Sequence, residues 1–304
     1  MQQSPKAQGI SVLVPVYCYA IEPLIQQLVT QLSQLAVAWE IRCYDDASTA
    51  FFKQKNQNII SYKNLIYKEL PENVGRSRIR NLLAKEAAYQ WLLFMDCDSL
   101  LPDQNYIARY ADAMVSGAAQ VYVGGTVYEK TLPSQAVSLR WYYGRAREQT
   151  TAAQRTAQPY ERLTLNNMLI SAQTYAQFPL DETLTTYGHE DTLFGFLLAQ
   201  NAVAIRHLDN PVYHVGLEEN QIFIQKTKTA TRNLYRIYTQ YGLGGQTRLF
   251  QAFLFLQKWH LVALFAAFYK ISEPFIVKNL LSAAPSVRLL DLLKLHTLCQ
   301  AAKT

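Results

Sequence analysis

Two aspartates separated by one residue, Asp96 and Asp98, close the apolar run Trp91-Leu92-Leu93-Phe94-Met95. An uncharged run of that length reads as a buried strand that carries its terminal carboxylates to the edge of a sheet. Carboxylates placed there can ligate a hard divalent cation, and the cation can in turn hold a diphosphate. The triplet alone decides little, because about one D-x-D arises by chance in a chain of this length. Other groups supply what such a cation would need. Asp45 and Asp46 form an acidic turn with Ala47 and Ser48. Arg76 and Arg80 lie four apart at a helix start, after Leu70-Pro71-Glu72-Asn73-Val74-Gly75, which is an anion-binding arrangement. Glu190 and Asp191 open another helix and point in different directions, so one can hold an acceptor while the other takes a proton. His214, in Asn210-Pro211-Val212-Tyr213-His214, is a candidate metal ligand. Each has an ordinary counterpart: a solvated basic face, acids drawn to the positive end of a helix, a structural histidine.

The elements that must position these residues alternate. Ile10–Tyr17 reads as a strand, Glu22–Leu35 as a helix with Leu24, Leu28, Leu32 and Leu35 on one face, and Trp39–Tyr44 as a strand. Leu65–Tyr67 is a short strand, Gly75–Gln90 a helix and Trp91–Met95 a central strand. Such alternation predicts an α/β fold with a mostly parallel sheet covered by helices on both faces. Ligands of these sheets bind beyond the carboxyl ends of the strands, where both acidic clusters fall. Further along, Gln120–Thr126 reads as a strand with a Gly pair, and Leu132–Tyr160 as an irregular segment covering the substrate. Asn166–Ser171 reads as a strand, Glu190–Gln200 as a helix, Ala202–His207 as an edge strand and Glu218–Tyr241 as a long basic helix.

The chain has 304 residues, half of them hydrophobic and 17% charged, which excludes a disordered protein. Met1–Gly9 is polar and shows no signal-peptide pattern, and the four cysteines (Cys18, Cys43, Cys97, Cys299) show no metal-ligand spacing. The expectation is a cytoplasmic protein with reduced, part-buried thiols. Net charge is +6 but uneven: residues 221–304 hold eleven Lys and Arg against two acids, a net +9, leaving −3 for residues 1–220. A basic, aromatic tail on a near-neutral body can meet nucleic acid or an anionic membrane. From Leu249 to Leu281 the chain is rich in Phe, Leu, Ala and Trp, but its longest run without Lys, Arg, Asp or Glu, Trp259–Tyr269, falls far short of the ~20 residues of a span. A helix pair lying on the inner face of the plasma membrane fits this pattern, and so does a helical cap packed on the body.

Taken in order, the motifs SVLVPVY, CYDDAS, LPENVGRSRIRN, LLFMDCDS and GHED resemble those of a family 2 glycosyltransferase with the GT-A fold, over roughly Ile10 to Gly216. The resemblance implies a GT-A domain over residues 1–217 and a helical appendage over 218–304. It implies that Pro15 and Tyr17 border the nucleotide pocket, and that Asp46, with Asp45 beside it, contacts the uracil. Arg76 and Arg80 would lie near the nucleotide or diphosphate. Asp96 would meet the ribose and the metal sphere, Asp98 would ligate Mg²⁺ or Mn²⁺, and His214 would complete that site. Asp191 would be the base and Glu190 an acceptor-binding partner. The implied reaction is inverting transfer of one sugar from a nucleotide-sugar, UDP-linked, to an acceptor hydroxyl on a glycan, a lipid-linked sugar or a similar molecule, as in polysaccharide biosynthesis. No nucleic-acid partner is implied.

Two positions depart from the family pattern: Ala47 stands where Gly is usual, and Tyr187-Gly188-His189 replaces a Trp-Gly before the acidic pair, so His189 would reshape the acceptor site. The chain has no Q-x-x-R-W motif, which argues for a single-sugar transferase rather than a processive synthase. Two rival readings stand beside this one. A haloacid dehalogenase-like phosphatase would use Asp96 as nucleophile and Asp98 as acid/base. A non-catalytic binding protein would dock through its basic tail.

Overall fold

The computed structural model describes residues 6–184, 187–245 and 247–303. Its strands are β1 (Ala7–Val16), β2 (Trp39–Asp45), β3 (Leu65–Glu69), β4 (Tyr89–Met95), β5 (Ser99–Leu100), β6 (Val121–Val123), β7 (Thr126–Val127), β8 (Asn167–Ser171), β9 (Ile205–His207) and β10 (Val212–His214). The chain separates into two compact units. The first comprises Met1–Val127, Gln149–Thr185 and Glu190–Gly216. The second comprises Tyr128–Glu148, Thr186–His189 and Leu217–Thr304, so it takes in two short segments besides the C-terminal region.

The first unit is built on a seven-stranded sheet in the order β3-β2-β1-β4-β8-β6-β9. Strand β8 runs against its neighbours and the other pairings are parallel, which is the mixed, mostly parallel sheet expected. Strand β1 shows why both faces are covered. Ile10, Val12, Val14 and Val16 pack into one core, with Leu24, Ile25, Leu28 and Leu32 of the Glu22–Leu32 helix. Leu13 points the other way, into a second core with Phe94, Ile79 and Leu83. A strand buried on both faces must read as a continuous apolar run. Each fully buried Leu or Ile contributes roughly 1.5–3 kcal/mol, so the four helix side chains alone anchor that layer firmly.

Several boundaries differ from expectation. The helix beginning at Arg76 ends at Glu86, and Tyr89 and Gln90 join β4, where Tyr89 pairs with Ala7. The expected strand 120–126 breaks at the Gly pair. Gly125 sits at φ +83°, and a side chain at Gly124 would strike the Asn210 carbonyl at 2.2 Å. Beyond it the chain enters a second, three-stranded sheet, β5-β10-β7. Strand β9 starts only at Ile205, because Ala202 (φ +50°) closes the preceding helix and the Val203 N–H donates to the Leu198 carbonyl.

The second unit has its own cores. Leu139, Phe223, Ile224, Tyr269, Ile276, Leu280, Leu290 and Leu293 form one, and Leu234, Phe250, Phe253, Leu298 and Cys299 another. Within Leu132–Tyr160, expected as irregular chain, residues 135–148 are short helical turns tied down by buried Arg140. Its guanidinium pairs with Glu148 at 3.0 Å and Glu218 at 3.3 Å. No single helix among the described residues is long and apolar enough to cross a membrane. Arg248–Lys258 and Val262–Leu280 reach that threshold only together, with a bend of 118° between them.

One departure noted in the sequence has a conformational consequence. Ala47 lies at φ +59°, in the left-handed region where a Cβ is disfavoured by about 1–2 kcal/mol. Glycine would remove that penalty but loses more freedom on folding, which offsets ~0.4–1 kcal/mol. Ala47→Gly is therefore expected to raise unfolding stability by about 0.5–1 kcal/mol in urea titration.

Candidate active site

Strands β1, β2 and β4 end at one edge of the sheet: Val16 pairs with Asp45, and Leu13 with Phe94 two residues before Asp96. Tyr17 stands exposed just beyond β1, and Pro15 is part-buried opposite Tyr44. The two acids of the β2 turn are committed to the protein itself. Asp45 is fully buried; its Oδ1 accepts the Ser48 N–H at 2.6 Å and its Oδ2 the Tyr67 hydroxyl at 3.1 Å. Asp46 accepts the backbone N–H groups of Val74 (2.6 Å) and Gly75 (3.1 Å). Burial pushes its carboxyl upward and those two N–H donors pull it back. Asp46 thus fixes the loop that leads into the Arg76–Glu86 helix.

The two arginines of that helix separate. Arg76 is exposed, whereas Arg80 is buried and donates from Nη2 to Asp96 Oδ1 at 2.5 Å. Burial acts to raise the Asp96 carboxyl, but Arg80, Arg76 and His214 outweigh it and hold the carboxyl below its ordinary range. Arg80, expected near the nucleotide or diphosphate, is the partner of a strand-end carboxylate. An aspartate so paired is also unsuited to the phosphatase reading, which needs it free to attack phosphorus.

Asp98 belongs with the small sheet. Antiparallel pairing of β10 with β5 sets His214 opposite Ser99, and the Val215 N–H donates to the Asp98 carbonyl at 2.9 Å. His214 Nδ1 consequently lies 3.4 Å from Asp98 Oδ1, an atom that is buried and makes no hydrogen bond among the described residues. A side chain at Gly216 would fall 2.5 Å from the other Asp98 oxygen, so this position must stay small. A buried carboxylate oxygen without a donor beside an imidazole fits a cation. The expected trio of ligands is not assembled, however. Among the described residues no three His, Cys, Asp or Glu side chains converge on one point, because Asp96 is drawn to Arg80. Asp98 and His214 supply two ligands, which suits a cation whose other positions are taken by diphosphate oxygens and water.

Glu190 and Asp191 start the Glu190–Gln200 helix, Glu190 buried and Asp191 part-buried. Burial first, and Glu190 second, push the Asp191 carboxyl up to about 7, and Arg80 counteracts them. Arg80 makes its ion pair with Asp96 and is only the weakest of the influences on Asp191. His189 precedes the pair at φ +73° and belongs to the second unit; burial and Lys294 lower it to about 4, so it is neutral at pH 7.

Asn81 is a positioning residue that sequence reasoning passed over. Its amide donates to the Leu180 carbonyl and to Glu182, both at 2.9 Å, and its carbonyl accepts from Tyr175 and from the Leu180 N–H. It ties the arginine helix to the segment leading toward Glu190. Its place one residue after Arg80 was the available signal. Two clefts of about 550 and 370 Å³ share Asn81, Lys85 and Glu182 in their walls, and neither is lined by Asp96, Asp98 or Asp191.

Residues 11–170 match the family described as Glycosyl transferase family 2. No protein of curated function matches the chain by sequence. Among solved structures, S. aureus TarS 1–349 superposes with a TM-score of 0.52 at 16% identity, covering 97% of this chain and 91% of that one. TarS 1–349 has also been solved with UDP and with UDP-GlcNAc. The mannosyltransferase PcManGT from Pyrobaculum calidifontis, solved with GDP-Man and Mn²⁺, gives a TM-score of 0.54 at 13% identity over 78% of this chain and 66% of its own. These likenesses establish the shared fold.

The raised Asp191 carboxyl has a measurable consequence for stability. A carboxyl that binds its proton more tightly folded than unfolded weakens the fold once the unfolded chain ionises, from about pH 4. The loss grows with pH and levels off above about 7, where the folded group also ionises. Asp191→Asn keeps the neutral form at every pH. It is expected to be more stable than wild type at pH 8 and equal to it near pH 4, by urea unfolding across that range.

Proposed function

Because this chain belongs to glycosyl transferase family 2, we propose that it transfers one sugar from a UDP-sugar to an acceptor hydroxyl, with inversion at the anomeric carbon. The observation that carries this reading is the Asp98–His214 pair at the end of the central strand, where a buried carboxylate oxygen with no hydrogen bond among the described residues lies 3.4 Å from an imidazole nitrogen. UDP is chosen because TarS 1–349, which binds UDP and UDP-GlcNAc, is matched along nearly the whole of this chain. The exposed Tyr17 ring beyond β1 offers a face for the base.

Asp98 and His214 would hold Mg²⁺ or Mn²⁺, which supplies charge neutralisation to the leaving diphosphate. Arg76, exposed at the helix start, adds positive charge on the same side. Asp191 takes the proton of the acceptor hydroxyl as that oxygen bonds to the sugar. A value near 7 suits this task, because the group is largely ionised just above neutrality yet still basic enough to capture a proton. Glu190 beside it keeps Asp191 basic and orients the acceptor. One base suffices for inversion, so no second carboxylate nucleophile is needed. The acceptor is a hydroxyl of a glycan or lipid-linked sugar.

Calorimetry and a transfer assay test the reading. With Mn²⁺ the wild-type chain is expected to bind UDP and one UDP-sugar, and Asp98→Ala to weaken the Mn²⁺-dependent part about 10–100-fold. Asp191→Asn is expected to bind donor as wild type does and to lose about 10²–10⁴-fold in transfer. Wild-type kcat/KM for the acceptor is expected to rise with pH through an inflection near 7, as the base ionises. Absence of binding by any nucleotide-sugar, or undiminished transfer by Asp191→Asn, overturns it.

A further inference from the structure

The Val262–Leu280 helix is apolar on two faces, and the protein covers one of them. Tyr269, Ile276 and Leu280 are buried in the second unit's core. Leu264, Phe268, Ile271 and Phe275 follow at i, i+4, i+7 and i+11, a single stripe on a different face, and all four are exposed. Phe255 and Trp259, on the preceding helix and at its end, continue the pattern with rings 6.3 Å apart. These six side chains are between 56% and 84% exposed. Single exposed apolar residues are ordinary on any surface, but a contiguous stripe of this size marks an interaction face.

Charge identifies what the face meets. Lys258, Lys270 and Lys278 are exposed along the same two helices, and Glu273 is the one acid between Leu249 and Leu281. A second copy of this chain would bring the same lysines against these, since a two-fold contact sets a patch against itself. An anionic surface gains from them instead. Large apolar side chains with a Trp at the helix junction and lysines alongside are the composition of a helix lying in a lipid interface. The 118° bend between the helices, neither of which is by itself both long and apolar enough to cross a membrane, fits lying on the bilayer. We infer that the second unit docks on anionic membranes by inserting the Phe255–Trp259 and Leu264–Phe275 stripe among the lipid headgroups. This rests on surface chemistry alone and is independent of the transfer reaction.

The full chain is tested by co-sedimentation with vesicles of equal parts phosphatidylglycerol and phosphatidylcholine, against vesicles of phosphatidylcholine only. Binding to the anionic vesicles is expected, falling as salt is raised. The double variant Ile271→Ser/Phe275→Ser, at exposed positions outside the site, is expected to lower the partition coefficient by about tenfold or more with an unchanged Tm. The triple variant Lys258→Gln/Lys270→Gln/Lys278→Gln is expected to lower binding and flatten its salt dependence. No binding to anionic vesicles, or binding that neither variant weakens, overturns the inference. So does light scattering that shows a vesicle-free dimer dissolved by the Ile271→Ser/Phe275→Ser variant, which would assign the face to a second copy.

Discussion

The contact between Arg80 and Asp96 is the constraint around which the site is arranged. A buried guanidinium beside a part-buried carboxylate adds little net stability compared with an apolar pair, yet removal of either partner alone leaves an uncompensated charge worth about 3–5 kcal/mol. Its value lies in what it fixes. Arg80 stands on the first turns of a helix whose entry is held by Asp46, and Asp96 stands at the end of the central strand. The pair therefore locks helix to strand at the carboxyl edge of the sheet. It also holds the Asp96 carboxyl below its ordinary range against burial.

Division of labour among the acids follows from where each lies relative to that guanidinium. Asp45 and Asp46 have their oxygens occupied by Ser48, Tyr67 and the backbone of residues 74 and 75, so they shape the turn after β2 and the loop that enters the Arg76–Glu86 helix. Asp98 lies beside His214 and has an oxygen that makes no hydrogen bond among the described residues, which suits a metal ligand. Asp191 has its carboxyl raised to about 7 by burial first and by Glu190 second. Five aspartates in similar sequence surroundings thus reach different chemical states through burial and partners, not through type.

The sequence made the carboxylates, the alternating elements and the sheet class legible, because long apolar runs ending in acids leave few other readings. The Asp98–His214 neighbourhood was legible only through family likeness. Strands β5, β7 and β10 have two or three residues each, too few to show a period, and their pairing is long-range. The fate of Arg80 was hidden for a related reason. Spacing in a helix shows that two arginines are near one another, but not that one is buried against a strand while the other remains in solvent. The Leu132–Tyr160 segment read as irregular because its order comes from a buried arginine network joined to residue 218, which local composition does not report.

Helix Val262–Leu280 shows a different limit of sequence reading. Periodicity identifies an apolar face by contrast with a polar one, and a helix apolar on two faces offers no contrast. Composition alone leaves such a helix open to two readings, a membrane-surface helix and a cap packed on the body. Packing separates the two faces: Tyr269, Ile276 and Leu280 lie in a core with Leu290 and Leu293, which leaves Phe268 and Ile271 with no role in that core. Stability explains the first set and cannot explain the second, since exposed large apolar groups favour aggregation in water. Their place beside exposed lysines is what the inferred docking on an anionic surface accounts for.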